Sequence, residues 1–278
     1  MEKYNLHTHT YRCKHAIGDV PELAEVARES GYTTLGFSEH TSLCDDTWPD
    51  MRLDRDKTDE YFGEIEKCRI GENSKPDGLR IFSGLECEPP PKYWNYYREL
   101  VEKYKIDYLL EAGHFFMYKG ELLNAFDERY DNQNKIKTYI EYLIKGMESG
   151  LFLYLAHPDV FMTTKDKWDA YTNDTARELI RASIKYKVPL EINLNGYRKG
   201  LVRRGLNLRY QYPYEKFWEL AAKENAEVVE GVDAHSPRNF IFNYPDYETL
   251  LERYSLNILN EEEILKRLKR STKHNESI

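Results

Sequence analysis

The sequence predicts an α/β fold in which seven parallel strands close into a barrel, and three observations carry that reading. First, seven apolar runs rich in β-branched and aromatic residues alternate with segments of helical period, which implies parallel strands. Second, of the 8 histidines, all but His274 in the charged tail (His7, His9, His15, His40, His114, His157 and His235) fall at or just beyond the end of such a run. Third, no internal repeat and no linker rich in Pro, Gly or Ser divides the 278 residues, so one domain spanning 1–278 is expected. An open doubly wound sheet alternates in the same way, and both folds bind ligands at the C-terminal strand ends. Side chains from six strands, however, converge on one small site more readily in a closed barrel, because an open sheet gathers them only near its switch point.

The elements follow in order. The first strand delivers Asn5-Leu6-His7-Thr8-His9-Thr10. Pro21 to Ser30 reads as a helix, with Pro at its start, Leu23, Val26 and Ala27 on one face and Gly31 as its stop. Thr33 to Phe37 is the second strand and delivers Ser38-Glu39-His40. Residues 41 to 54 lack periodicity, are long for a strand-to-helix connection, and are expected to lie over the site. A charged amphipathic helix spans about Asp54 to Ile70, and Leu79 to Glu86 is a strand ending in a carboxylate. A Tyr-rich helix at Trp94 to Tyr104 leads to the strand ending at His114, and a helix at Asn134 to Ser149 leads to the one ending at His157-Pro158-Asp159. Helices at Thr175 to Tyr186 and Tyr214 to Glu224 precede the strands Val188 to Asn193 and Ala226 to Val232, the latter reaching Asp233-Ala234-His235. The tail has an acidic start and a basic end, which favours a solvated closing helix at about 260–271 with a frayed end.

Composition narrows the function. Hydrophobic residues make up 41% and charged residues 32%. No run of about eighteen apolar residues and no basic-then-apolar leader is seen, so no membrane partner is expected. The four cysteines, Cys13, Cys44, Cys68 and Cys87, form no Cys-x-x-Cys pair, which suits a reducing cytoplasm. A net charge of −8 argues against a nucleic-acid scaffold with a broad basic face.

His7 and His9 lie two apart on a strand, so both imidazoles aim at one point. Alone, His-x-His is also simply two polar residues at a strand end. The other strand-end histidines, with Glu86 and Asp233, turn it into a candidate metal site of nine residues: His7, His9, His15, His40, Glu86, His114, His157, Asp233 and His235. Imidazole and carboxylate without thiolate suit Zn²⁺, Mn²⁺ or Fe²⁺.

In order along the chain, Tyr-Asn-Leu-His-Thr-His-Thr, Gly-Phe-Ser-Glu-His, Gly-Leu-Glu-Cys-Glu, Ala-Gly-His-Phe, Leu-Ala-His-Pro-Asp, Glu-Ile-Asn and Gly-Val-Asp-Ala-His resemble the motifs of the PHP (polymerase and histidinol phosphatase) superfamily. The closest likeness is to its histidinol-phosphate phosphatase branch, and the motifs span residues 5 to 238. The resemblance implies a distorted (β/α)7 TIM-like barrel of parallel strands with a trinuclear site of divalent ions. Matched motif by motif, His7, His9, Glu86 and Asp233 would hold one ion, and His15, His40 and His235 a second. Glu86, His114 and His157 would hold the third, with Glu86 bridging. It also implies a metal-dependent phosphomonoesterase that hydrolyses L-histidinol phosphate by attack of a metal-bound hydroxide, with Asp233, Glu86 and His235 as catalytic residues. Metal ions roughly 3.5 to 4 Å apart generate the nucleophile and neutralise the phosphoryl oxygens, which suits one of the slowest uncatalysed reactions.

For the substrate, Arg198, after the sixth strand, offers a fork of donors to the phosphate, and His40 and Glu88 are expected to face the bound molecule. Asp45, Asp46, Trp48 and Asp50 are the loop residues placed to hold a cationic amine and imidazole; Lys199, Arg203, Arg204 and Arg209 read as surface charges. Three other readings compete. A PHP phosphoesterase acting on a nucleotide or oligonucleotide end would need base-stacking aromatics and more cations. An amidohydrolase-type barrel also opens with His-x-His, but His15, Glu86 and His114 exceed its ligand set. A non-catalytic module would have lost ligands.

Overall fold

A computed structural model describes residues 3–126, 133–163 and 165–275, with side chains as far as Leu268. Its main sheet is parallel and curls in the order β1 (Lys3–Asn5), β2 (Tyr32–His40), β3 (Arg80–Cys87), β4 (Tyr108–Glu111), β7 (Tyr154–Leu155), β8 (Leu190–Asn193), β11 (Glu227–Gly231) and β12 (Asn257–Ile258). Just past the ends of β1 and β11, Thr8 bridges to Ala234 in parallel, with His9 N donating to Ala234 O at 2.8 Å and Ala234 N to His7 O at 3.1 Å. The first and seventh sequence-predicted strands therefore meet, and they meet at the site end. At the opposite end β12, which the sequence reading did not anticipate, pairs with Glu227 and Val228 of β11. The distortion of the barrel is this wedge: closed around the histidines, split at its floor.

The helices α1 (Val20–Glu29), α2 (Thr58–Asn73), α3 (Trp94–Tyr104), α4 (Gln133–Glu148), α5 (Ala170–Tyr186) and α7 (Glu215–Lys223) fall within a few residues of their predicted spans. The sequence reading missed α8 (Pro245–Arg253) and the one-turn α6 (Asn195–Arg198). It also missed two antiparallel hairpins, β5 (Phe115–Tyr118) with β6 (Glu121–Asn124) and β9 (Leu201–Arg204) with β10 (Asn207–Tyr210). Among the described residues no helix is long and apolar enough to cross a membrane.

The barrel interior is filled by Leu6, Tyr108, Leu110, Leu153, Tyr154 and Val229. Tyr108 reaches across it to donate to Leu6 O at 2.7 Å, which is possible because Gly36 and Gly84 leave no Cβ against its ring. The final helix, α9 (Glu261–Asn275), was expected to be solvated and is corrected here: Ile264 and Leu268 are buried under the same cluster and plug the split floor. Burying an aliphatic side chain contributes about 1.5–3 kcal/mol, so the apolar face outweighs the charge pattern that suggested solvation. The expected frayed end, at 276–278, lies outside the described residues.

On the outer face of β4, Glu111 is fully buried against the backbone of α4 at Gly146, and neither carboxylate oxygen has a hydrogen-bond partner. Burial raises its pKa well above 4.5. Between the unfolded and folded pKa only the folded state keeps the proton, so stability falls by about 1.36 kcal/mol per pH unit across that window. Glu111→Met is thus expected to stabilise the protein at neutral pH by about 1–3 kcal/mol, with the gain growing as pH rises. Urea melts of both proteins at pH 5 and pH 8 test this; an equal difference at the two pH values would sink it.

Candidate metal centre

All nine predicted ligands come together at the closed end of the barrel. Glu86, at the end of β3, is the hub. Its Oε1 lies 3.0 Å from His157 Nε2, 3.3 Å from His7 Nε2 and 3.5 Å from His114 Nε2. Its Oε2 lies 2.7 Å from His40 Nδ1 and 3.5 Å from His9 Nε2. Asp233 Oδ1 lies 3.2 Å from His235 Nδ1, 3.3 Å from His9 Nε2 and 3.6 Å from His7 Nε2. His15 sits at the rim, its ring 4.9 Å from that of His235 and 5.2 Å from that of His40. Two residues hold left-handed backbone to point inward, His157 at φ 73° and Asp233 at φ 49°, a conformation that costs on the order of 1–3 kcal/mol and clusters at functional sites.

The histidines are oriented from behind by carboxylates: Glu191 and Glu39, which the sequence reading did not single out, and Glu88, which it placed at the substrate. His7 Nδ1 meets Glu191 Oε1 at 2.7 Å, where Gly231 leaves room for the carboxylate; His9 Nδ1 meets Glu39 Oε1 at 3.2 Å. His114 Nδ1 meets Glu88 Oε1 at 2.9 Å. Because a carboxylate only accepts, each Nδ1 carries a hydrogen, which leaves Nε2 as the nitrogen that turns a lone pair inward once its own proton is displaced. The two Nε2 atoms of His7 and His9 are then 3.1 Å apart beside carboxylate oxygens, and Glu86 Oε2 and Asp233 Oδ1 have no hydrogen-bond partner. Acceptors gathered so closely repel unless a cation or protons lie between them. Ligand atoms about 2.0–2.1 Å from a tetrahedral Zn²⁺ stand about 3.3–3.4 Å from one another, so the observed spacings fit a divalent ion. Glu39→Gln is expected to weaken metal binding about 10–100-fold, measured by competition with a chromogenic chelator. An unchanged affinity would show that Glu39 does not orient His9.

The electrostatics divide the site. Burial pushes the Glu86 carboxyl up, but the imidazoles of His40, His114 and His7 overrule it and hold it well below 4.5. Asp233, likewise buried, is held well below 3.8 by His7 and His235. Burial lowers His7 and His9, yet Glu191, Asp233 and Glu86 raise His7 well above 6.5, and the adjacent carboxylates of Asp233 and Glu39 lift His9 to about 9. At the rim the balance reverses. Burial, then His235 and His9, takes His15 down to about 4, and burial takes His40 well below 6.5 despite Glu86.

A cavity of about 580 Å³ opens onto this cluster, a volume suited to a small molecule. Trp48, Met51 and Arg52 line it, so the 41–54 segment does border the site. Its acids do not face it: Asp45 binds Lys92 and Tyr93, and Asp46 binds Arg55. Glu88, expected to face the substrate, is fully buried between Arg52 and His114. Arg198 is spent on the carbonyls of Val232 and Asp233 and on the Tyr244 hydroxyl. The neighbouring Lys199, taken as a surface charge, lines the cavity instead, donating from Nζ to Tyr212 Oη at 2.8 Å. Asp159 is buried as well, accepting from Trp218 Nε1 at 3.1 Å and from the backbone N–H of Tyr214.

Residues 5–195 match the family model described as the PHP domain. The chain belongs to the PHP domain family. A protein of Schizosaccharomyces pombe described as "Probable histidinol-phosphatase" is 25% identical to this PHP chain over 276 residues, covering 91% of this chain and 87% of its own. Two solved structures share the PHP fold at lower identity. The histidinol phosphatase provisionally named HisK from Listeria monocytogenes superposes with a TM-score of 0.72 at 18% identity, over 88% of this chain and 100% of its own. The histidinol phosphate phosphatase of Lactococcus lactis, complexed with zinc, L-histidinol and phosphate, gives 0.67 at 16% identity, over 93% and 95%.

Proposed function

We propose that this PHP protein is a metal-dependent phosphomonoesterase that hydrolyses L-histidinol phosphate to L-histidinol and phosphate. In this reading three divalent ions are held by His7, His9, Glu86 and Asp233, by His15, His40 and His235, and by Glu86, His114 and His157. The observation that carries it is the packing of imidazole Nε2 atoms and the carboxylate oxygens of Glu86 and Asp233, 3.0–3.6 Å apart, at the base of a small-molecule cavity. The names of its relatives support the substrate.

Divalent ions at such a site supply a nucleophile at neutral pH and neutralise phosphoryl charge. The chain's own residues do the rest. Asp233 is ionised, its Oδ2 fixed by Asn195 Nδ2 at 2.9 Å and Asn193 Nδ2 at 3.2 Å. Its Oδ1, the oxygen it would also turn to an ion, takes the proton of the attacking water and returns it to the leaving alkoxide. His235, 3.2 Å from that oxygen, keeps it aimed at the cavity. His40 lines the phosphoryl end, and Lys199 brings positive charge to the cavity wall. The four free cysteines fit a cytoplasmic location, and we take 1–278 as a single domain.

Phosphate release from L-histidinol phosphate by manganese- or zinc-loaded protein, against nucleotides and sugar phosphates, tests the reading. A preference of a hundredfold in kcat/KM, about 2.7 kcal/mol, is expected. A preference for nucleotides would move the substrate to a nucleotide end.

A further inference from the structure

The two hairpins have no counterpart in the motifs that carry the family likeness, yet both end at the cavity. The first begins directly after His114 and ends at Asn124; the second begins directly after Gly200 and ends at Tyr210, followed by Gln211 and Tyr212. They meet over the opening. The Phe126 ring lies near-parallel to that of His114 at 6.4 Å and is tilted by 60° to that of Tyr212, also at 6.4 Å. The Lys199 ammonium sits 5.2 Å from the Phe126 centroid and 5.1 Å from that of Tyr212.

The second hairpin is fastened down. Arg204 donates to Thr163 O, and Arg209 donates to Met162 O and Lys165 O, so two cations that read as surface charges bind it to the segment after His157. Its inner residues are held in place before any ligand arrives.

Asp45, Asp46 and Glu88 are committed elsewhere, as described above, and Asp50 does not line the cavity. On the wall away from the histidines the hydrogen-bonding groups still open among the described residues include the amides of Asn124 and Gln211 and the hydroxyl of Thr163, which has no hydrogen-bond partner. Gln211 makes no side-chain hydrogen bond among the described residues. Asn124 uses only Oδ1, accepting from Phe126 N at 2.8 Å, which leaves its NH2 free.

We infer that the two hairpins build the leaving-group pocket: the Phe126 ring is the stacking face for a planar nitrogen heterocycle, and the Asn124 and Gln211 amides bind its ring nitrogens and the adjoining amine. This rests on the proposed phosphatase reading and deepens it. The pocket reads shape and hydrogen-bond pattern, because beside the Lys199 ammonium its open polar groups are neutral amides and a hydroxyl rather than carboxylates. A leaving group without ring nitrogens leaves those amides unpaired, which is how a hydrogen-bonding pocket discriminates.

Phe126→Leu and Gln211→Leu are to be compared with wild type in two measurements. One is the ratio of kcat/KM for L-histidinol phosphate over glycerol 3-phosphate; the other is calorimetric binding of L-histidinol. The ratio is expected to fall tenfold or more and L-histidinol binding to weaken, while Leu206→Ser, at the exposed hairpin tip, keeps both. Equal loss on the two esters with unchanged L-histidinol binding would overturn the pocket. A wild type without preference for L-histidinol phosphate sinks the substrate reading instead. The hairpins are then judged on phenyl phosphate against glycerol 3-phosphate: a shifted ratio in the variants keeps the pocket, and an unshifted one removes it.

Discussion

Glu86→Ala is expected to lose at least one metal ion per chain and to lower turnover on the order of a thousandfold or more. Its carboxylate touches five imidazoles, those of His7, His9, His40, His114 and His157, which no other acidic residue in the cluster does. Removing it takes away the negative charge that draws cations together and leaves those rings facing an apolar gap. Glu86→Gln separates the two effects, since the amide keeps the shape and loses the charge. Elemental analysis of both variants beside their rates checks the outcome. Full metal content in Glu86→Ala would refute its central place, whatever the rate did.

The nine clustered residues were legible in the sequence because a parallel barrel delivers strand ends to one place, so a histidine or acid closing an apolar run has its position fixed by the run. The carboxylates behind them were harder to read. Glu39 and Glu191 sit inside β2 and β8, where a buried charge looks improbable until its histidine partner is known. The signal was there: Ser38-Glu39-His40 and Glu191-Ile192-Asn193 put acids on strands that are otherwise apolar. Arg198 and Lys199 were exchanged because the segment after β8 makes a helical turn, α6, which a loop reading does not supply. The hairpins carried short-range evidence that went unused. Lys119 and Gly120 form a two-residue turn with φ 50° and 85°, and Gly205 opens the other at φ 56°, both between strand-like residues. Only β12 had no local signature; α9 carried one in Ile264 and Leu268, four apart on one face, which its many charges outweighed in the reading.

Metal loading is expected to release protons from one part of the cluster and not from the other. In the metal-free protein His9 titrates at about 9 and His7 is raised well above 6.5, so at pH 7 both imidazoles hold protons that an ion must displace. His15, at about 4, and His40, lowered well below 6.5, are already neutral. The affinity of the position served by His7, His9 and Asp233 therefore climbs with pH up to about 9, whereas His15 and His40 have no proton left to release at pH 7 and add no such dependence there. The stability of the metal-free fold runs the other way. A raised imidazole pKa contributes stability that is complete below the unfolded value of 6.5 and is lost as pH rises through about 9, so metal-free protein melts lower at pH 9 than at pH 6.5. Bound ions replace those protons and should remove the decline. Calorimetric titration with zinc in two buffers of different ionisation enthalpy, with melts of stripped and loaded protein over the same range, measures both. Loading without proton release at pH 7 would mean that Glu39 and Asp233 do not hold His9 protonated, and the backing carboxylates would then have to act on geometry alone.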